Sequence, residues 1–242
     1  SSSVFESVSA TGNYTSSFGG EGGAIYITNS TINLDYATIS GNYAPYGGGI
    51  FVSGANSDLT VSNSIIWNNE NEEIKFYNSL SGYSNYWISY SLIDGGEESI
   101  TDNGWVFYSE FIDDESNLSS YDSGDAISED IFINPFNPPS GEPITEGNYH
   151  LHPSSPCIAV AVDGSDMGAY PFEPIEGCTD EEACNYDELA SIPCADCCEY
   201  VCFNTFYVDG NAEPSEDATG SPFDPFTSIP ITFVLMPSLA SI

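Results

Sequence analysis

The chain carries the pattern Ile32-x-Leu34-x-Tyr36-x-Thr38-Ile39, in which apolar and polar positions alternate. The pattern returns as Leu59-x-Val61-x-Asn63-x-Ile65-Ile66 and again, at the same spacing, as Tyr86-x-Ile88-x-Tyr90-x-Leu92-Ile93. A shorter step leads to a fourth copy, Trp105-x-Phe107-x-Ser109-x-Phe111-Ile112. Alternation with period two is typical of a β-strand that buries one face. The copies therefore predict strands at equivalent positions of a repeat.

A second element repeats between these strands. Gly22-Gly23-Ala24-Ile25 returns as Gly47-Gly48-Gly49-Ile50, and Thr11-Gly12-Asn13-Tyr14 returns as Ser40-Gly41-Asn42-Tyr43. Each unit thus holds at least two short strands separated by Gly/Asn turns. Glycine pairs suit corners where two backbones approach closely. Asn42 and Asn69 lie in register, which predicts a hydrogen-bonded ladder of side chains.

Strands this short bury their apolar face only when successive units stack on one another. Each strand then pairs with its equivalent one unit later, and the resulting sheets are parallel. The repeat therefore predicts an all-β fold, a parallel β-helix that advances about 4.8 Å per rung. The alternative, a β-sandwich, requires hairpin turns at closer and less regular spacing.

The charge of the chain limits its partners. Its 242 residues include 37 Asp and Glu but a single Lys or Arg, Lys75, and the formal net charge is −36. This balance excludes nucleic-acid binding by phosphate neutralisation and attachment to an anionic membrane surface. No apolar run is long enough for direct membrane insertion. The acidity fits either a salty medium that screens repulsion or bound Ca²⁺, which prefers oxygen ligands.

Three carboxylates follow equivalent repeat positions and form the candidate Ca²⁺ site: Asp94, Asp113 and Asp114. The alternative is that they are ordinary turn residues that bond to their own backbone. His150 and His152 lie two apart on a predicted strand, so both face one side, but no partner ligand accompanies them. A partly exposed strand explains them without a metal.

Six cysteines fall in one short stretch, which predicts an oxidising, extracellular setting: Cys178, Cys184, Cys194, Cys197, Cys198 and Cys202. Disulfides are the expected chemistry, because so small a segment has no core of its own. Six cysteines allow fifteen pairings, and none is singled out. A zinc site built on Cys194-x-x-Cys197 is the alternative. Cys157 lies outside this stretch and is predicted to be a buried apolar side chain.

The Gly-Gly-x-Ile elements after Gly-Asn turns resemble repeats of right-handed parallel β-helix proteins of the pectin-lyase-like and polymorphic-outer-membrane-repeat families. The runs at 148–158 and Asp166-Met-Gly-Ala-Tyr170 resemble closing rungs of that family, so the resemblance covers residues 1–173. Residues 174–203 resemble a short cysteine-rich repeat of secreted bacterial surface proteins. Residues 204–242 resemble the opening of a further β-helix module, although Pro230 and Pro237 forbid its usual helix and leave a disordered tail as the alternative.

The resemblance implies either of two functions. One is a non-catalytic, secreted or cell-surface segment of a larger modular protein that serves adhesion, carbohydrate binding or spacing. Its partners would be cell-surface glycans or other modules of the same chain. The alternative is a polysaccharide lyase or glycoside hydrolase. Lyases of this fold use cationic bases, and Lys75, expected on a polar turn or strand edge, is the only one present, so we favour the non-catalytic function. Aromatic residues expected to be exposed, and able to stack on sugars or on each other, are Tyr36, Tyr43, Tyr46 and Trp67.

Overall fold

A computed structural model describes residues 2–15, 19–54, 56–77, 83–102, 106–111, 131–135 and 147–200. The chain visits three parallel sheets in turn, so that strands of one sheet are separated by two others in sequence. The first sheet contains β1 (Ser2–Glu6), β4 (Thr31–Asp35), β7 (Asp58–Ser62), β10 (Ser84–Ser89) and β13 (Val106–Phe111). The all-β fold class and the parallel β-helix are confirmed.

The other two sheets complete each turn of the solenoid. The second sheet contains β2 (Ser9–Thr11), β5 (Thr38–Ser40), β8 (Ile65–Trp67) and β11 (Leu92–Ile93). The third sheet contains β3 (Ile25–Thr28), β6 (Ile50–Ser53), β9 (Ile74–Tyr77) and β12 (Ile100–Asp102). A 3₁₀ helix, Gly96–Ser99, joins the second sheet to the third in the fourth circuit.

The predicted register holds for the first three copies of the repeat. Ile32 pairs with Leu59, and Leu59 with Tyr86, at the spacing that the repeat predicts. The predicted register of the fourth copy is wrong by four positions, because Tyr86 pairs with Ser109 and not with Trp105. A bulge causes part of this difference, since the pairing of β10 with β13 shifts between Ser84 and Asn85. The alternation did not predict the extra residue, and Val106, which lies between two apolar positions of the predicted copy, packs against the core.

Apolar side chains from all three sheets meet inside the coil. The buried core includes Ile27, Leu34, Ile39, Ile50, Val52, Leu59, Val61, Ile66, Ile74, Phe76 and Ile88. In the longer strands these are alternate positions, as the period-two pattern requires. Burial of these side chains supplies the main driving force for stacking the rungs.

A second apolar cluster lies on the outside of the second sheet, where residues 131–135 and 147–172 cover it. Met167 and Leu151 pack there with Ile65 and Leu92. The Gly168 amide donates to the backbone carbonyl of Asn63 at 2.8 Å. This arrangement replaces the predicted closing rungs, since β15 (Asn148–Leu151) pairs antiparallel with β14 (Phe132–Asn134) and joins none of the three sheets.

The predicted asparagine ladder is present and extends further than predicted. Asn13 donates through Nδ2 to Asn42 Oδ1 at 2.8 Å, and Asn42 donates through Nδ2 to Asn69 Oδ1 at 2.8 Å. The ladder ends on Glu73, whose carboxylate accepts from both the backbone amide and the side-chain amide of Asn69 at 2.8 and 2.5 Å. Glu73 is 4% exposed, and burial raises its pKa to about 8.

Glu73 makes stability fall as pH rises. Its pKa is near 4.5 in an unfolded chain and about 8 in the fold, so between these values the folded state holds the extra proton. The stabilising contribution of Glu73 is therefore fully present below about pH 4.5 and is lost as pH rises through 8, at up to about 1.4 kcal/mol per pH unit. We expect wild type to gain more stability than Glu73→Gln when urea unfolding is moved from pH 8 to pH 5.

The Glu73→Gln variant is the reference for the wild type, because every other carboxylate titrates in the same way in both proteins. The glutamine amide nitrogen has to face one of the Asn69 donors, which shifts the stability of the variant by an amount independent of pH, so the slope of stability against pH is compared. Parallel stability profiles in the two proteins would contradict a raised Glu73 pKa.

The cysteine-rich segment is held by disulfides in the described residues. Cys178 is bonded to Cys198, with Cα atoms 5.1 Å apart, and Cys194 to Cys197, with Cα atoms 5.7 Å apart. Cys184 is also disulfide-bonded. Two short parallel strands, β16 (Glu176–Gly177) and β17 (Ile192–Pro193), complete the segment.

The alternative predicted from the sequence was a zinc site that uses the sulfur atoms of this segment. Those of Cys194, Cys197 and Cys198 lie within 4.8 Å of one another, but in disulfides they are not the thiolates that zinc requires. Cys157 is a free thiol with 0% exposure, as predicted, and burial raises its pKa to about 12. Cys202, Asp113, Asp114 and the predicted segment 204–242 lie outside the described residues.

Candidate functional site

The three outer faces of the solenoid differ in chemistry. The first sheet presents mainly short polar side chains that bond from rung to rung, as Asn85 Nδ2 does to Asp58 Oδ1 at 2.6 Å and Ser62 Oγ to Asp35 Oδ1 at 2.9 Å. The second sheet is covered by the outer apolar cluster. The third sheet carries aromatic side chains with large exposed fractions, so it is the face best suited to bind a ligand.

One outward position of the third sheet forms a row along the solenoid axis. Tyr26 pairs in register with Phe51, Phe51 with Lys75, and Lys75 with Thr101. The neighbouring positions in each strand point inward to the core, as Ile25 and Ile27 do around Tyr26. The strand pleat therefore places this row on the outer surface, with successive members about 4.8 Å apart.

The aromatic members of this face pack against one another. The rings of Tyr26 and Phe51 are stacked with centroids 5.7 Å apart and planes inclined by 7°. The ring of Tyr77, from the same strand as Lys75, lies 6.3 Å from that of Phe51. Phe51 is only 2% exposed, whereas Tyr26 is 47% and Tyr77 44% exposed. The result is a buried phenylalanine flanked by two tyrosines that keep accessible surface.

Of these residues, Phe51 and Tyr77 border a groove of about 450 Å³, called the aromatic groove below. Its aromatic lining consists of Tyr46, Phe51, Phe76 and Tyr77. Its polar lining consists of Glu21, Lys75, Thr101 and Asp102. Tyr46 is 47% exposed, and the hydroxyl of Thr101 is buried without a hydrogen-bond partner. A concave surface that combines aromatic side chains with a few polar groups is typical of small-ligand sites.

Lys75 lies inside this groove, and its predicted position on a turn or strand edge is wrong. It belongs to β9, which pairs with β6 on one side and β12 on the other. Its ammonium donates to Glu72 and lies 5.3 Å from the centre of the Tyr46 ring. The other oxygen of Glu72 accepts from the Gly47 amide at 2.8 Å. The only Lys or Arg of the chain is thus already occupied by a carboxylate and a ring.

The two carboxylate residues that line the groove belong to different circuits of the solenoid. Glu21 lies in the first circuit, where it pairs with Tyr46 of the second, whereas Asp102 lies in β12 of the fourth. Three rung steps separate their backbones by about 14 Å. Retaining and inverting hydrolases need carboxyl groups about 5 to 9.5 Å apart. The estimated backbone separation of Glu21 and Asp102 is therefore larger than the carboxyl separation of either class of hydrolase.

The predicted Ca²⁺ site is only partly within the described residues. Asp94 is half-buried after β11, and its Oδ2 accepts from the Asn68 amide at 3.3 Å. Desolvation raises the pKa of Asp94. With Asp113 and Asp114 outside the described residues, the Ca²⁺ site stays a prediction.

The two histidines of the predicted strand have separate partners. His150 Nδ1 lies 3.0 Å from the Pro171 carbonyl oxygen, and its ring is 5.5 Å from that of Tyr170. His152 Nδ1 lies 2.6 Å from Ser154 Oγ. Each imidazole therefore has a local contact of its own through Nδ1.

The four aromatic residues singled out in the sequence have different surroundings. Tyr46 lines the groove, and Tyr43 stacks on Tyr14 with ring centres 4.9 Å apart, as rung-to-rung stacking predicts. The Tyr36 hydroxyl accepts from Ser165 Oγ at 3.3 Å. Trp67 is 3% exposed in the outer cluster, so its predicted exposure is wrong.

The aromatic row of the third sheet was missed in the sequence. Aromatic residues at equivalent points of Ile25-Tyr26-Ile27 and Ile50-Phe51-Val52 gave a signal for it, because each lies between two inward apolar positions.

The fold and the groove define this chain as a parallel β-solenoid with an aromatic groove on one face. Comparison with known proteins yields no matching family model, no matching curated protein and no matching solved structure. Among the described residues, no helix has the length and apolar character needed to cross a membrane. Disulfides are typical of oxidising, extracellular compartments, and those near the C-terminal end indicate such an environment.

Proposed function

We propose that this chain is a non-catalytic carbohydrate-binding segment of a secreted or cell-surface protein, and that the aromatic groove holds the glycan. The observation that carries the proposal is the groove itself, in which exposed Tyr46 and Tyr77 accompany the buried Phe51. Sugar rings have an apolar face that packs on aromatic rings and hydroxyl groups that bond to polar residues at the edge.

The solenoid geometry supports an extended ligand. The groove receives residues from all four circuits, from Glu21 in the first to Asp102 in the fourth. Its length therefore runs across the strands and along the solenoid axis. A polymer lying in this direction contacts one rung after another, so several sugar units share the surface. Adhesion to cell-surface glycans, with the rigid solenoid as a spacer, is the role that this arrangement supports.

Removal of the exposed rings should abolish most binding. We expect Tyr46→Ala and Tyr77→Ala each to weaken binding to a glycan identified on a polysaccharide array by about tenfold or more, because each loses a stacking surface. Isothermal titration calorimetry measures the affinity, and circular dichroism confirms that the variants fold. Tyr186→Ala is the matched control, since Tyr186 is a similarly exposed tyrosine (43%) in the cysteine-rich segment.

Unchanged affinity in both groove variants would contradict the proposal. The alternative function, polysaccharide lyase or hydrolase, is separated by assaying the same array for cleavage products with and without Ca²⁺. Turnover by the purified protein would replace the non-catalytic proposal with the enzymatic one. The wide backbone separation of Glu21 from Asp102, about 14 Å, leads us to expect no turnover at the groove.

A further inference from the structure

We propose that the aromatic groove selects glycans that carry free amino groups, that is, cationic amino-sugar polymers, over uronate-containing ones. This inference rests on the proposed glycan-binding function and adds the charge of the ligand to it. The groove places two exposed carboxylates, Glu21 and Asp102, at its lining, together with one ammonium, that of Lys75. The net charge of these three groups is therefore negative.

The ammonium of Lys75 does not serve an incoming anion well. It already donates to Glu72, and Glu72 is itself fixed by the Gly47 amide, so the carboxylate is part of the corner between circuits. The ring of Tyr46 covers another side of the ammonium at 5.3 Å. An acidic sugar would have to displace these contacts, and a net charge of −36 on the chain adds long-range repulsion.

A protonated amino sugar meets the opposite conditions. Its ammonium is attracted to the exposed carboxylates of the lining, Glu21 and Asp102. It is also attracted to the exposed ring of Tyr77 through cation–π contact, since Lys75 already lies over the Tyr46 ring. The apolar face of its ring stacks on Tyr46 or Tyr77 in the same way as a neutral sugar would. The electrostatic attraction is therefore added to the stacking contact instead of replacing it.

The test uses three oligosaccharides of equal length: a glucosamine oligomer, the N-acetylglucosamine oligomer and an oligogalacturonate. Binding is measured at pH 5.5 and 150 mM NaCl, where glucosamine amines are charged and long-range attraction is largely screened. We expect the glucosamine oligomer to bind at least tenfold more tightly than the N-acetylated one, and the oligogalacturonate to bind most weakly.

Variants separate the groove from the general acidity of the surface. The double variant Glu21→Gln/Asp102→Asn should reduce the preference for glucosamine to threefold or less while leaving the N-acetylated oligomer unaffected. The matched control is Glu173→Gln/Glu188→Gln, which removes the same number of charges at exposed positions outside the groove lining. This control should keep the preference.

The outcomes distinguish the two proposals. Equal binding of the glucosamine and N-acetylglucosamine oligomers, lost in Tyr46→Ala, overturns the charge selectivity but leaves the groove as the glycan site. Tightest binding of the oligogalacturonate also overturns it. Equal loss of preference in the groove and control double variants assigns the effect to overall charge and overturns the inference. Binding of glucosamine that persists in Tyr46→Ala and Tyr77→Ala contradicts the proposed function as well.

Discussion

Gly48→Ala is expected to destabilise the solenoid by about 3 kcal/mol or more, because the added methyl group has no space between successive circuits. A Cβ atom on Gly48 would lie 1.9 Å from the backbone carbonyl oxygen of Glu70 and 2.9 Å from its carbonyl carbon and amide nitrogen. These are backbone atoms of the next circuit, so no side-chain rotation relieves the overlap. The rungs have to separate, and the core side chains lose contacts.

The control is Gly164→Ala in the segment outside the coil. Gly164 has a φ of +82°, but nothing lies within 4 Å of an added Cβ atom. Its substitution should lower stability by about 1 kcal/mol through backbone strain alone. Urea unfolding followed by circular dichroism measures both variants. A Gly48 variant no less stable than the Gly164 variant would contradict the close stacking of circuits at this corner.

Asn42→Ala is expected to be similarly damaging, with a loss of about 3 kcal/mol, because one side chain serves three circuits. Asn42 is 0% exposed. Its Oδ1 accepts from the backbone and side-chain amides of Asn13, at 2.9 and 2.8 Å. Its Nδ2 donates to Asn69 Oδ1 and to the Ala10 carbonyl, each at 2.8 Å. Alanine would leave several buried polar groups without a partner, and each such group costs about 1 to 3 kcal/mol.

Asn33→Ala is the matched control for the ladder. Asn33 is a half-buried asparagine on the outer, polar face of the first sheet, where β4 lies between β1 and β7. Its replacement should change the free energy of unfolding by about 0.5 kcal/mol at most, as surface substitutions usually do. Comparable losses for the Asn33 and Asn42 variants would show that the ladder contributes no special stability.

The fold was predictable because the repeat defines the period, the pairing and the inward face at once. A slip of one residue would have sent Leu34, Leu59 and the other apolar positions to the outside. The asparagine ladder followed from the same register. The end of the ladder did not, because Glu73 reaches Asn69 from within the same corner and has no counterpart one period away.

The features that the sequence did not predict depend on contacts between parts far apart in the chain. Nothing in the local pattern shows that residues 147–172 lie against the outside of the second sheet, where the Val162 amide donates to Asn63 Oδ1 across 99 positions. The same holds for Lys75, whose polar neighbours predicted a turn. Its strand is defined by pairing with β6 and β12, which belong to the circuits before and after it.

The candidate site was predictable only in part. Tyr46 was recognised as a residue able to stack on sugars, but its partners Phe51 and Lys75 were not. The strands that carry them repeat at a shorter spacing than the strands of the first sheet, since the corners of each circuit differ in length. Aligning the third-sheet strands by their own spacing brings Tyr26, Phe51 and Lys75 into one row.

Glycan binding in the aromatic groove is tested most sharply by nuclear magnetic resonance of the ¹⁵N-labelled protein during titration with an oligosaccharide that it binds. We expect shift changes confined to the third sheet and its corners, above all at Tyr46, Phe51 and Tyr77, with little change at Asn33 or Thr60 on the first sheet. Shift changes centred on the polar face of the first sheet, or on the cysteine-rich segment with none in the groove, would contradict it.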